Sequence, residues 1–363
     1  MSSLPHPLLA VALVAAVTAT TSAWAQDEEA TFPAAEGVYR AVFEDEFFQS
    51  NDLMLQGIHA NASVTFTRPR AWELTADPVL NLDFNHSAAL LEHRSHLTVL
   101  VNDHPIGTVA LAPGNANGGQ VELRVPRNLL DDYNQLGLAV EQHYTDDCED
   151  PFDPALWTRV GRTSSISLAY RRLAVVGELL AWPFPVFDKL GYGPTRLTLV
   201  TPASPSAETV AALGEVGFAV GRLADWREVD TAAPVGAAAE ARTPAAMVGT
   251  VAELPEALAL LGLQSLAEDQ GAVGVVPNPA DPTLPVLVVV GGGAAGLAKA
   301  AGALAGQDRY QVLSGAVATV SALTPASPPP TRMDPLPAPP AASFRFADLG
   351  VEGVTVRGYY PPP

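Results

Sequence analysis

Apolar and polar residues alternate along the chain from about residue 60 to residue 172. In the segment VLNLDFNH, the apolar residues Leu80, Leu82 and Phe84 alternate with polar ones, and LTVLV, VELRV, LGLAV and ISLAY repeat the pattern. A period of two predicts strands that bury one face and expose the other. Many short strands of this kind, with no helical spacing between them, predict an antiparallel β-sandwich of the jelly-roll type.

The spacing of apolar residues changes after about residue 190. The strand-like segment TRLTLV precedes a stretch in which Leu213, Val216 and Val220 recur at helical spacing. The apolar segments AAMVGT, GAVGVV and PVLVVV follow, and the last leads into a second helical pattern, AAGLAKAAGALAG. Strands that are apolar throughout and alternate with helices predict a parallel sheet covered on both faces. We therefore predict a flavodoxin-like three-layer α/β domain.

These patterns divide the chain into five segments. We predict a signal peptide at residues 1–25, the jelly-roll domain at 26–175, the flavodoxin-like domain at 176–323, a proline-rich linker at 324–343 and the first strand of a further β-domain at 344–363. The first segment is one short apolar stretch ending in Ala-Trp-Ala before the acidic QDEEA, which is typical of a secretory signal. Because this segment has no Lys or Arg, a weak signal anchor is the alternative.

Charge narrows the choice of partners. The formal net charge is −19 at pH 7, with 39 acidic and 20 basic residues. Such a surface repels nucleic-acid phosphates and anionic lipid head groups, whereas a neutral polymer is not repelled. The single cysteine, Cys148, cannot form an intramolecular disulfide, so it neither supports nor opposes export to an oxidising compartment.

The most unusual segment is HYTDDCEDPFDPALW at residues 143–157, which contains five carboxylates, the cysteine and three aromatic rings. It lacks the alternating ligands and glycine of an EF-hand, and one Cys with one nearby His is too few ligands for zinc. The sequence does not exclude a less regular calcium site or a pair of carboxylates that acts as in a glycosidase. We favour a loop between two sandwich strands, held by its prolines and by the rings of Phe152 and Trp157.

Two other motifs have a functional and a structural interpretation. His93 and His96 could bind a metal, but on a strand this spacing directs them to opposite faces, which favours a hydrogen-bonded structural His96. Gly291, Gly292 and Gly293 lie at a strand-to-helix junction and resemble a phosphate-binding turn. They lack the spacing of a dinucleotide or P-loop motif, so tight turning of the backbone is the preferred interpretation.

Exposed aromatic rings can stack on the apolar faces of sugars while carboxylates bind hydroxyl groups. The candidate carbohydrate-binding residues on the sandwich are Trp72, Tyr144, Asp150, Phe152 and Trp157. For Trp157, packing in the core is the competing role and the favoured one. No residue pattern predicts a cofactor, a catalytic group or a metal ligand.

The segment NQLGLAVEQHYTDDCEDPFDPALWTRVGRTSSISLAY resembles the signature region of the B-type regulatory subunits of bacterial cellulose synthase. The residues that match in order are Asn134, His143, Tyr144, Thr145, Cys148, Glu149, Asp150, Pro151, Leu156, Trp157 and Ser164. The segments SHLTVLVND, LLAWPFPVFD and VPNPADPTLPVLVVVGGGAAGLAKAAGALA also agree. The combination is much more specific than any one of these motifs.

The resemblance implies a noncatalytic periplasmic subunit made of carbohydrate-binding-like and flavodoxin-like domains. Its implied partners are the inner-membrane catalytic subunit, which polymerises UDP-glucose under cyclic di-GMP control, and the β-1,4-glucan product that it guides. The older naming of the family as cyclic di-GMP-binding fits this acidic composition poorly. The family also has a second pair of domains and a C-terminal membrane helix, which this sequence does not include. We therefore expect membrane association of this chain to be indirect, through the partner.

Two functions of other classes stay open from the sequence. An exported carbohydrate-active hydrolase would use carboxylates of the loop at residues 146–153. A nucleotide or flavin binder would use the α/β domain.

Overall fold

The computed structural model describes residues 34–47, 49–224 and 227–323. The predicted signal peptide, proline-rich linker and further β-domain lie outside these residues. The described chain forms two compact units. Unit 1 extends to Leu173 and includes Leu190–Tyr192, and unit 2 takes Ala174–Lys189 and the chain from Gly193 onward. Within the described ranges, no helix has both the length and the apolar character required to cross a bilayer.

Unit 1 consists almost entirely of strands. They are β1 (Glu36–Val42), β2 (Leu53–Gln56), β3 (His59–Thr67), β4 (Trp72–Leu74), β5 (Val79–His86), β6 (His96–Val101), β7 (His104–Ala110), β8 (Asn117–Arg124), β9 (Tyr133–Glu141), β10 (Trp157–Val160) and β11 (Ser165–Arg172). One short helix, α1 (Phe43–Glu46), follows β1.

The strands of unit 1 form two antiparallel sheets. A four-stranded sheet has the order β3-β9-β6-β7, and a seven-stranded sheet has the order β1-β11-β5-β10-β2, with β4 on β11 and β8 on β5. Leu80, Leu82 and Phe84 from one sheet and Leu97 and Val99 from the other are buried in one apolar core. The alternation predicted from the sequence is therefore confirmed in β5 and β6, and the antiparallel sandwich fits the predicted jelly roll.

Unit 2 alternates strands and helices. Its elements are β12 (Thr195–Val200), α2 (Ala207–Ala224), β13 (Val229–Val235), β14 (Ala245–Thr250), α3 (Glu256–Leu261), β15 (Gly271–Pro277), β16 (Pro285–Gly291), α4 (Ala294–Ala305), α5 (Gln307–Tyr310) and β17 (Val317–Val320). The strands form one sheet with the order β13-β12-β14-β16-β15-β17. Helices α2 and α4 contribute to an apolar cluster that includes Leu287 and Val289, while α3 contributes to another that includes Val288 and Val290. Both faces of the sheet are thus covered.

The prediction of a parallel sheet is wrong for β15 and β17, at one side of the sheet. β12, β13, β14 and β16 are parallel, but β15 pairs antiparallel with β16 and with β17. The segment NPADPTL that joins β15 to β16 is far shorter than the dozen or more residues that a parallel crossover requires. The two strands therefore form a hairpin, which Asn278 and Leu284 close with a backbone hydrogen bond of 2.8 Å.

Close backbone packing explains the glycines after β16. A Cβ atom on Gly292 would lie 2.0 Å from the carbonyl oxygen of Ala267, and one on Gly291 would lie 2.1 Å from the amide nitrogen of Leu297. The space beside the turn is filled by neighbouring backbone, which supports the structural interpretation of these glycines. By contrast, Gly214 on α2 faces open space.

We expect Gly292→Ala to destabilise unit 2 by about 1–3 kcal/mol, because the methyl group overpacks the turn. Gly214→Ala is the matched control. It should stabilise α2 by about 0.5–1 kcal/mol, because this position is exposed and alanine loses less backbone entropy than glycine. Urea denaturation of both variants measures the difference. Equal stability of the two variants would contradict this account of the turn.

Candidate functional site

The acidic segment singled out in the sequence is the loop between β9 and β10, which we call the acidic loop (residues 142–156). Its first residues are fixed to the sandwich. The buried Gln142 side chain donates to the carbonyl oxygen of Gly57 at 2.8 Å and accepts from the Thr158 hydroxyl at 2.7 Å. Ser95 Oγ accepts from the His143 amide at 3.0 Å and donates to its carbonyl oxygen at 3.1 Å. The loop therefore begins from a rigid base.

A buried pair, His143 and Glu149, folds the acidic loop back on itself. Nδ1 of His143 lies 2.6 Å from Oε2 of Glu149, and the Tyr144 amide donates to Oε1 at 2.8 Å. The two side chains are only 10% and 8% exposed. Burial opposes ionisation of Glu149, but the hydrogen bonds from His143 and the Tyr144 amide outweigh it and lower the pKa of the carboxyl. Both carboxylate oxygens of Glu149 therefore accept hydrogen bonds from within the loop.

The other polar groups of the acidic loop also serve its local geometry. Oδ1 of Asp150 accepts from the Phe152 amide at 3.0 Å, and the Asp150 amide donates to the Tyr144 hydroxyl at 3.1 Å. Oδ1 of Asp153 accepts from the Ala155 amide at 2.8 Å. These bonds from a side chain to the backbone two residues later are the turns that Asp favours. The loop is therefore a hydrogen-bonded corner, as the structural interpretation predicted. The expectation that the ring of Phe152 holds it is wrong, because that ring is 90% exposed and hydrogen bonds fix the backbone instead.

The structure does not bring His93 and His96 together as metal ligands. His93 Nε2 lies 2.8 Å from Oδ1 of Asp146 at the surface, and His96 Nε2 lies 3.7 Å from Oε2 of Glu141. The latter distance is too long for the hydrogen bond expected of His96. In the described part of the chain, no three His, Cys, Asp or Glu side chains are placed to hold a metal ion.

The predicted sugar-binding residues fall in three places. Tyr144, Asp150 and Phe152 share the acidic loop, where Phe152 is 90% exposed and Tyr144 packs partly against the core. Trp72, on β4, stacks on Tyr170 with ring centroids 4.0 Å apart, so one of its faces is already covered. Trp157 begins β10 and is half-buried.

The preference for Trp157 as a core residue is wrong. Thr158 and Val160 are the buried residues of β10, so Trp157 and Arg159 occupy the outward positions of the same strand. Trp157 is only half-buried there. A strand of four residues is too short for its alternation to be recognised from the sequence, which explains the error.

A polar cleft with a volume of about 410 Å³ lies on the outer face of the seven-stranded sheet, and no sequence pattern predicted it. The outward residues Asp83 and Asn85 of β5, Gln120 of β8 and Arg159 of β10 line it. The polar positions of β5 are visible in the alternation, but the pairing that gathers them with the other strands is tertiary and leaves no local signal.

The two units define a class of protein. Its first unit is a β-sandwich of the kind found in carbohydrate-binding modules, and its second is an α/β unit. Residues 40–172 match the family described as "Cellulose synthase BcsB, first CBM domain", and residues 178–320 match "Cellulose synthase BcsB, first FD domain". The two matches follow one another over most of the chain. The chain therefore belongs to the cellulose synthase BcsB family.

Curated relatives agree with this assignment. A "Cyclic di-GMP-binding protein" of Xanthomonas axonopodis pv. citri is 33% identical over 342 residues, which are 92% of this chain and 42% of that protein. A protein of the same name from Pseudomonas fluorescens is 28% identical over 83% of this chain and 40% of its own length. The chain thus spans about two fifths of these relatives. A family 35 carbohydrate-binding module from an environmental isolate aligns with 33% of this chain and 75% of its own, at 14% identity and a TM-score of 0.20.

We expect Glu149→Gln to destabilise unit 1 by about 1–2 kcal/mol at pH 7, because a neutral amide accepts more weakly than a buried carboxylate. A lowered pKa stabilises the fold above the pKa of the unfolded chain, and this stabilisation is lost as the pH falls through the folded value. The difference between wild type and variant should therefore shrink below about pH 4. Urea denaturation at pH 7 and pH 3 measures it.

Glu73→Gln is the control for this prediction, since Glu73 pairs with Arg171 at the surface. An exposed pair of this kind contributes about 0–1 kcal/mol. If Glu149→Gln costs no more than Glu73→Gln at pH 7, the buried pair does not stabilise the loop.

Proposed function

We propose that this chain is a noncatalytic accessory part of a bacterial cellulose synthase, located in the periplasm, that holds and guides the growing β-1,4-glucan. Membership of the BcsB family supports the association with cellulose synthesis. In this proposal the synthase catalytic subunit is the protein partner, and contact with the inner membrane is made through that partner. Unit 2 is a variant flavodoxin-like domain, supported by the order β13-β12-β14 at one side of its covered sheet.

The observation that supports a noncatalytic role is the pair of hydrogen bonds that His143 and the Tyr144 amide make to the Glu149 carboxylate, which favour its ionised form. A glycosidase needs one carboxylic acid with a raised pKa that can donate a proton to the leaving oxygen. Glu149 has a lowered pKa, and both of its oxygens accept hydrogen bonds from within the loop. Asp150 and Asp153 likewise accept from backbone amides of their own turns. For the alternative of an exported hydrolase, Glu149 is therefore unsuited to the role of proton donor.

Phe152 is the strongest candidate for contact with glucan on the acidic loop. Its ring is 90% exposed, while the turn around Asp150 and Asp153 fixes the backbone on either side. Because the backbone is already fixed, only the rotation of the side chain is lost when the ring stacks on a sugar, and the contact is worth about 0.5–1.5 kcal/mol beyond the area buried. Contacts of this strength suit a guide, since the polymer must move past them.

The name shared by the two curated relatives gives cyclic di-GMP as a second candidate ligand. The net charge of −19 opposes binding of a dianionic nucleotide unless basic residues converge on it. Equilibrium dialysis of the purified chain with cyclic di-GMP tests the second ligand. We expect the chain not to retain the nucleotide, although it binds glucan in the pull-down assay described next.

We expect the chain to be retained on insoluble cellulose, and Phe152→Ala to lower the retained fraction about threefold to tenfold, because one stacking contact is lost. Phe218→Ala on α2 is a matched control, since Phe218 is also exposed, at 67%, but lies in unit 2. Pull-down assays measure both variants, and the same fractions should release no reducing sugar from β-glucan. Absence of binding both to cellulose and to membranes containing the catalytic subunit would refute the proposal.

A further inference from the structure

The polar cleft forms at a break in the pairing of β5. One edge of β5 pairs first with β11 and then with β10, which follow each other along that edge. Asn81 pairs with Ser165, and Phe84 pairs with Val160. Two residues of β5 therefore face a turn of four residues between β10 and β11, and the ladder is interrupted there. An interruption of this kind locally bends a sheet and redirects its side chains.

Asp83 holds the turn in place. Its carbonyl oxygen accepts from the Gly161 amide at 2.7 Å, and its amide donates to Ser164 Oγ at 3.1 Å. Its carboxylate accepts from the Thr163 hydroxyl at 2.9 Å and, through the other oxygen, from the Gln120 amide group at 2.9 Å. The position and orientation of the carboxylate are thus fixed before any ligand arrives.

Outward side chains of three strands surround Asp83. Asn85 lies directly opposite Arg159 in the register of β5 and β10, and both line the cleft. Neither side chain makes a hydrogen bond to another group within the described chain. An amide offers two donors and an acceptor, and a guanidinium offers donors only. The cleft therefore presents donors and acceptors side by side at strand spacing, which suits the adjacent hydroxyl groups of a sugar.

The charges that line the cleft are balanced. Asp52 and Asp83 are matched by Arg159 and Arg162. Arg159 Nε lies 3.6 Å from Oδ2 of Asp52, and Arg162 Nη1 lies 2.8 Å from Oε1 of Glu44, beside the cleft. Because each cation already has an acidic neighbour, a phosphate or uronate would gain little attraction. The charge pattern selects a neutral polar ligand.

The size of the cleft limits the ligand to a short segment. Its volume of about 410 Å³ lies within the range of about 300–1,000 Å³ typical of small-ligand sites. Trp157, two residues before Arg159, occupies the same face of β10 just outside the residues that line the cleft. Open polar clefts next to an aromatic ring suit glycans, which combine hydroxyl edges with apolar ring faces.

We propose that this cleft is a second glycan-binding site of unit 1, distinct from the acidic loop, which takes a short segment of a neutral β-linked glucan. The proposal rests on the proposed function for the identity of the sugar. The cleft itself is defined by Asp83, Asn85, Gln120 and Arg159.

Calorimetric titration of the full chain with cellohexaose tests the proposal. We expect Asn85→Ala and Arg159→Ala each to weaken binding about fivefold to tenfold, and Asn85→Trp, which fills the cleft, to weaken it more. Arg171→Ala is the matched control, because Arg171 is an exposed arginine of the same sheet, on β11, that pairs with Glu73 outside the cleft. Its affinity should equal that of wild type. Circular dichroism and thermal unfolding establish that each variant is folded.

Three further results separate this proposal from the proposed function. If Phe152→Ala weakens cellohexaose binding while the three cleft variants bind as wild type, the cleft site is refuted and the guiding role stands. If wild type binds neither cellohexaose nor cellulose, the cleft site is refuted, and the proposed function also fails if the chain does not bind membranes containing the catalytic subunit. An oligogalacturonate that binds as tightly as cellohexaose would refute the selection for neutral glycans, whereas weaker binding of the anion supports it.

Discussion

Backbone pairing along β5 is the constraint on which the outer face of the seven-stranded sheet depends. This strand pairs with β8 on one edge and with both β10 and β11 on the other. Buried amide and carbonyl groups require partners, so where β10 ends the turn before β11 has to supply them. Gly161 and Ser164 do so by bonding to Asp83. A requirement of the backbone thus produces the cleft and fixes the carboxylate within it.

The acidic loop satisfies a related requirement by different means. It must carry five carboxylates from β9 to β10 in a chain whose net charge is already −19. Mutual repulsion is limited because Glu149 is paired with His143, while Asp150 and Asp153 accept from backbone amides. Hydrogen bonds to charged groups contribute about 1.5–3 kcal/mol each when they are well aligned. The charges therefore shape the corner, which explains why a composition that resembles an active site is also compatible with a scaffold.

Local patterns are sufficient to predict the type of each unit. Alternation in β5 and β6, and helical spacing in α2 and α4, depend on neighbouring residues alone, and the structure confirms both. The reversed direction of β15 depends on the length of one connection, which the spacing of apolar residues within the strands does not reveal. The outward position of Trp157 and the cleft around Asp83 depend on which strands meet at β5. No local pattern encodes that meeting, so these features needed the structure.

The two proposed contacts differ in a way that suits a polymer in motion. Phe152 offers a flat apolar surface on an exposed turn, which a glucan can cross at many registers because every ring has a similar face. The cleft offers hydrogen bonds at fixed strand spacing, which favour particular registers of the chain. Water competes for these bonds, so each has a net worth of only about 0.5–1.5 kcal/mol. Under the proposed function, a glucan held by both contacts would be kept in register briefly and released at each step, whereas a deep, dry pocket would retain it.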